Sequence, residues 1–166
     1  MTAPHFTIRS TTPEDDDAIG ALLSGPYHDD PHWLASEITT IRQTFTNYGD
    51  LAPGYLHWVA VTHKNNDTTT TGDSVIGVLE ATIRLFANGC DTIRILFLEG
   101  IAVAPAYQRD GVATALMETA TRWALANGIS EMGSDCEIDN LDGQNWHASM
   151  GFKKAETVIN YVKKIG

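Results

Sequence analysis

Positive charge is what this chain has least of. Eleven Lys and Arg residues stand against 21 Asp and Glu, a formal net charge of -10 at pH 7 over 166 residues. A surface so anionic works against binding nucleic acid or an anionic membrane; it suits a cationic ligand, or simple solubility. Cysteine is scarce too. Cys90 and Cys136 lie far apart, with no second thiol beside either, so neither a zinc knuckle nor a disulfide framework is suggested. Both read as reduced packing residues of a cytoplasmic protein. No ligand cluster implies a metal. No apolar run approaches the ~18 residues of a membrane span, and the first residues lack the basic and apolar segments of a secretory leader. Two phosphate-binding signatures are missing as well, since neither Gly-Lys-Ser/Thr nor Gly-x-Gly-x-x-Gly occurs.

What remains is an ordinary globular composition, 43% apolar and 19% charged, expected to form a single domain over residues 1–166 with a core of its own. Residues 6–9 alternate as a strand. Thr12-Pro13-Glu14-Asp15 signals a helix start, with a hydroxyl cap, proline in the first turn and acids at the positive end of the dipole; the helix should reach about Leu23. Residues 24–31 read as an acidic, aromatic loop, and residues 32–48 as a second helix with Trp33, Glu37, Ile38, Ile41, Phe45 and Tyr48 at helical spacing. Strands are expected over residues 56–62, 75–85 and 93–103, with a threonine-rich turn at 65–73 and a hairpin turn at Asn88-Gly89. The strand at 93–103 is apolar on both faces, which places it centrally. A helix over 111–126 carries Val112, Leu116, Ala120 and Trp123 on one stripe and stops at Asn127-Gly128. A strand at 131–136, a short helix at 142–150 and a last strand at 158–164 complete the chain.

The junction between the central strand and the helix after it carries the strongest signal. A glycine-bearing turn that presents free N–H groups at a helix start is a seat for phosphate oxygens. Here the turn is Gln108-x-x-Gly111-x-Ala113, preceded by Ile101-Ala102-Val103-x-Pro105. That combination resembles the GNAT N-acetyltransferase superfamily. The resemblance implies an α/β (α+β) GNAT fold: a central mixed, mostly antiparallel sheet flanked by helices on both faces. It also implies acetyl-coenzyme A as cofactor, held by Ile101, Ala102, Val103, Gln108, Arg109, Asp110, Gly111, Val112 and Ala113, with Asn140 nearby. Backbone N–H groups around Ile101 and Val103 would face pantetheine and the acetyl oxygen.

Acetyl transfer to an amine also needs an acceptor for the amine proton. Glu80 stands alone in the apolar middle of Val78-Leu79-Glu80-Ala81, where an ionised carboxylate is costly unless something cationic faces it. Either Arg84 pairs with it, or it lines a wet cleft. Glu99, on the central strand, is divided between an ion pair and a site role. Asp135, Glu137, Asp139 and Asp142 follow a strand end, a common place for ligands, although an acidic loop is often merely solvated.

Ser134-Asp135, Asp139-Asn140, Trp146-His147-Ala148-Ser149-Met150-Gly151-Phe152, Leu79-Glu80-Ala81-Thr82-Ile83-Arg84 and Phe97-Leu98-Glu99-Gly100-Ile101 together are similar to the aminoglycoside 6'-N-acetyltransferases of antibiotic resistance. This similarity implies that Glu80, Asp135 and His147 serve catalysis, Glu80 as proton acceptor. It implies a cationic aminoglycoside as substrate, met by Glu80, Glu99, Asp135, Glu137 and Asp139. His147 stands where most of the superfamily has tyrosine, and either donates a proton to the sulfur or orients it. The chain departs from the subgroup at residues 24–30, where Tyr27 is expected to supply the missing ring against the sugar, with Asp29 or Asp30 as an additional anion. By analogy a homodimer is expected, with the apolar segment at 158–162 pairing across subunits. Two other readings stand beside this one: acetylation of another polyamine or amino sugar, and a non-catalytic acyl-coenzyme A-binding module.

Overall fold

The computed structural model describes residues 5–27, 30–48, 54–62 and 74–166, with side chains for all but residues 26, 27 and 42–48. Five strands, β1 (Phe6–Ser10), β2 (Tyr55–Thr62), β3 (Ser74–Arg84), β4 (Ile95–Val103) and β5 (Glu131–Ser134), form one sheet in the order β1-β2-β3-β4-β5. The first three contacts are antiparallel and β4–β5 is parallel. The helices are α1 (Asp16–Tyr27), α2 (Pro31–Tyr48), α3 (Val112–Ala126) and α4 (Leu141–Ser149). Pro13–Asp15 and Pro105–Tyr107 are short 3-10 turns.

Strand alternation divides the core between two faces. On one face Trp58, Ala60, Leu79, Ala81, Leu96 and Leu98 pack against Val112, Leu116, Met117 and Ala120 of α3. Each of the fully buried Val and Leu side chains in this layer contributes about 1.5–3 kcal/mol by leaving water. On the other face Val59, Val61, Val78 and Ala102 meet Ile19 and Leu23 of α1 and Ile38 of α2. The two helices cross closely at Gly20, where a Cβ would stand 2.5 Å from the Pro31 carbonyl oxygen and 2.9 Å from the Ala35 nitrogen. Among the described side chains, the apolar contacts of α1 and α2 reach Val59, Val78 and Ala102; the next residues on that face of β2 and β3, His57 and Glu80, are buried as well but polar.

Four expectations are corrected. Helix α1 does not stop at Leu23 but continues through Ser24 and Gly25 to Tyr27. Burial of Ile19 and Leu23 carries it past the glycine, and the Ser24 hydroxyl donates to the Ala21 carbonyl at 2.9 Å. Asp29 and the turn at 65–73 lie outside the described residues, as does the Tyr27 side chain. Residues 93–94 are not in β4, and Ile93 is exposed. Cys136 is exposed beyond the end of β5, so only Cys90 packs; burial, then Glu131 and Asp91, push the Cys90 thiol up from its ordinary range. Last, residues 158–164 form no strand. The tail passes the turn after β3, where Asn88 Nδ2 donates to Glu156 Oε2 at 3.3 Å, and pairs with no strand among the described residues. Val158, Ile159, Tyr161, Val162 and Ile165 are left exposed. Among the described residues no helix is long and apolar enough to cross a membrane.

Candidate active site

The strand order makes an opening. Strand β5 pairs with β4 only from Ile95↔Glu131 to Leu98↔Ser134, whereas β4 runs on beside β3 to Gly77↔Val103. Beyond Leu98 the side of β4 away from β3 has no strand beside it among the described residues. The Ala104 N–H donates to the Ile76 carbonyl at 2.8 Å, so the phase of the antiparallel ladder turns the backbone groups of Ile101 and Val103 away from β3, towards the opening. The Val103 carbonyl accepts the Gln108 side-chain amide at 3.3 Å, so Gln108 pins the following turn back onto the strand.

That turn is built for an anion. Arg109 has φ 69 and Gly111, the N-cap of α3, has φ 83. Alternating backbone signs aim successive N–H groups into one concavity. The first bond of α3 is Ala115 N–H to the Gly111 carbonyl, and no protein acceptor takes the N–H groups of residues 109–114 among the described residues. Val112 is buried in the core, whereas Gln108, Arg109, Asp110 and Gly111 are exposed and Ala113 is half-buried. A groove of about 420 Å³ begins at Thr114, beside this turn, and passes between α3 and α4 to Ser149 and Met150. Orphaned amides at a helix start, an unpaired strand edge and an adjoining groove fit a long pyrophosphate-bearing molecule. Asn140 is committed differently: it caps α4, its side-chain oxygen accepting the Gly143 N–H at 2.8 Å.

The carboxylates sort themselves by partner. Arg84 does not pair with Glu80; it makes a fork with Glu99, Nη2 lying 2.8 Å from Oε1 and 2.7 Å from Oε2, and the Thr82 hydroxyl also donates to Glu99. Glu80, 7% exposed, meets His57 Nε2 at 2.9 Å and the Tyr55 hydroxyl at 3.2 Å instead. Between Glu80 and Ala81 the β3–β4 register shifts, leaving Glu99 as the extra residue of a bulge, a device that re-aims side chains beside sites. Asp135, Glu137 and Asp139 are exposed on the segment after β5. Glu80, Glu99 and Asp135 thus stand at one level on three neighbouring strands or their extensions.

His147 approaches β5 from α4. Its Nδ1 lies 2.7 Å from the Gly143 carbonyl, which can only accept, so Nδ1 carries hydrogen; Nε2 lies 2.9 Å from the Ser134 hydroxyl. The same hydroxyl is 3.2 Å from the Leu98 carbonyl, at the last β4–β5 pair. A neutral ring accepts from Ser134, and a protonated one donates to it while Ser134 donates onward to Leu98. Ser134, Tyr55 and His57 were not singled out in the sequence. A strand register would have shown His57 opposite Glu80, and a hydroxyl next to Asp135 was visible without its partner.

The profile of the Acetyltransferase (GNAT) family matches residues 5–152, and the chain belongs to that family. Over 91 residues it is 44% identical to an aminoglycoside N(6')-acetyltransferase type 1 of Acinetobacter haemolyticus, which takes in 54% of this chain and 63% of that relative. The match thus spans less than two thirds of that enzyme's length. Among solved structures, aminoglycoside N-acetyltransferase AAC(6')-Iy in complex with CoA superposes with a TM-score of 0.77 at 27% identity, covering 98% of this chain and 97% of that one. AAC(6')-Iy in complex with the bisubstrate analog CoA-S-monomethyl-acetylneamine gives 0.74 at 30% identity, with 97% and 99% covered. Both bear out the mixed α/β sheet flanked by helices.

Proposed function

We propose that this protein is an acetyl-coenzyme A-dependent N-acetyltransferase that modifies the 6'-amine of aminoglycosides by direct attack in a ternary complex. The observation that carries the reading is a row of amides at residues 109–114 that meet no protein acceptor among the described residues, in the turn that follows β4, the strand that pairs with Glu80 of β3 and runs on past the end of β5. The likeness to enzymes named for that reaction supports it.

When bound, acetyl-coenzyme A supplies the acyl group as an activated thioester. The amides of residues 109–114 hold phosphate oxygens, and the backbone of Ile101 and Val103 orients the pantetheine arm and polarises the carbonyl. Asp135, Glu137 and Asp139, with Glu80, attract an ammonium-rich sugar. Glu80 accepts the proton the 6'-ammonium must lose before nitrogen can attack carbon. His147, whose Nε2 meets the Ser134 hydroxyl at the end of β5, would return a proton to the departing thiolate. Glu99 works as structure here, because its fork with Arg84 occupies both oxygens. Gln108 and Asn140 shape the turn and the α4 start, and touch the cofactor only through what those bonds leave free.

The reading places the enzyme in the cytoplasm, where acetyl-coenzyme A is supplied, and makes it a homodimer. Support for the dimer comes from two loose ends: β5 is an edge strand, and the tail carries exposed Val158, Ile159, Tyr161 and Val162. A partner's tail laid along an open edge would satisfy both. The reaction is tested by following thiol release from acetyl-coenzyme A on adding tobramycin or kanamycin, and locating the acetyl group by NMR. Release coupled to a 6'-acetamide is expected; cofactor binding without turnover on any amine would leave a non-catalytic binding module.

A further inference from the structure

We infer that His57 is the positioning residue that sets Glu80 for proton transfer, an inference that rests on Glu80 being the proton acceptor. The two residues face each other directly across β2 and β3. They are 8% and 7% exposed, a buried pair with the apolar Val59 and Val78 on one side and the polar Tyr55 and Thr82 on the other. His57 Nε2 stands 2.9 Å from Glu80 Oε1, and the Tyr55 hydroxyl donates to the same oxygen at 3.2 Å. An ionised carboxylate only accepts, so Nε2 bears the hydrogen in that contact.

Two donors on Oε1 leave Oε2 without a partner among the described residues. Oε2 is then the oxygen that receives the amine proton, while Oε1 stays anchored. The anchor is itself held. The Tyr55 ring meets the imidazole edge-on at 4.5 Å between centroids, and the His57 carbonyl accepts the Thr11 N–H at 3.3 Å. Other charges on this face are engaged elsewhere: Arg84 with Glu99, and Asp16 of α1 with Thr39 of α2. Asp135 is exposed past the end of β5. Among the described residues the imidazole and the Tyr55 hydroxyl are the groups that meet Glu80, and the shorter contact is the imidazole's. His57 therefore fixes the Glu80 rotamer and leaves its second oxygen free for the amine proton.

His57→Phe keeps a ring in the space and removes the N–H. It is expected to lower kcat by about tenfold or more with little change in KM for the aminoglycoside. The acidic limb of kcat/KM against pH should move upward, because the carboxylate loses a donor to its charged form. His57→Gln, whose amide N–H can stand where Nε2 stands, should recover most of both effects. Tyr55→Phe should move the same limb in the same direction by less, and it decides the matter if circular dichroism shows that His57→Phe does not fold. A folded His57→Phe enzyme with the wild-type pH profile would overturn the inference, as would an unmoved limb in Tyr55→Phe where His57→Phe is unfolded. Glu80→Gln separates the two levels. Turnover surviving in Glu80→Gln removes the base itself, whereas its loss beside an unmoved His57→Phe profile removes only the part given to His57.

Discussion

Asp15 shows how a single carboxylate fixes the start of the fold. Arg9 of β1 grips it with both terminal nitrogens, Nη1 at 2.7 Å and Nη2 at 2.9 Å, and the Thr12 N–H donates to it at 2.8 Å. The bond from Arg9, foremost, holds the Asp15 carboxyl below the usual carboxylate range against the opposing pull of burial. A carboxyl depressed in the folded state contributes stability that is fully present above the ordinary value near ~4 and is lost as pH falls through the lowered folded value. Asp15→Asn should therefore cost about 1–2 kcal/mol at pH 7 in urea unfolding, and the gap to wild type should narrow below about pH 4. A gap independent of pH would show that packing, not charge, carries the contribution. Glu80 and Glu99 make the complementary point: two acids of similar sequence context part company because the register gives one an arginine and the other an imidazole.

Among the elements, the turn from β4 to α3 joins folding to chemistry. Its left-handed Gly111 has open space where a Cβ would lie, so a substitution there strains the backbone without a clash. Gly111→Val should cost about 1–3 kcal/mol of local strain and reorient the amides, weakening coenzyme A at least about tenfold by calorimetric titration while the helix content stays unchanged. Wild-type affinity would remove the turn from the cofactor site. This element was legible in the sequence because its signals are local: an apolar strand, a proline, then glycine before a 3.6-residue stripe. So were the ends of α3, the alternation of β1 and the two apolar faces of β4. Register was not legible. Nothing short of the paired strands brings His57 to Glu80, or Arg84 to Glu99, and no local pattern reports that β5 stops at Ser134. The end of α1 was misread because Gly25-Pro26 is a break signal that the buried Ile19 and Leu23 outweigh.

At the scale of the molecule, the tail was misread for a different reason. Val158-Ile159-Asn160-Tyr161-Val162 has strand composition, but a strand needs a neighbour, and among the described residues of one chain the tail pairs with none. The dimer reading predicts that Val162→Asp, at a side chain 93% exposed, gives a monomer by sedimentation with its thermal midpoint little changed at high dilution. A variant that sediments as wild type would take the tail out of the interface. Charge acts on the same scale: the chain as a whole carries a net charge of -10, while the proposed seat for phosphate is made of backbone amides rather than basic side chains. Anion and polycation can then be held side by side by one acidic protein.

The most direct test of the account is the rate of thiol release from acetyl-coenzyme A with tobramycin, measured for wild type and Glu80→Gln at saturating substrates. The account predicts a loss of about 10²-fold or more in kcat with coenzyme A affinity retained, the range a general base supplies. An undiminished kcat in Glu80→Gln would contradict it.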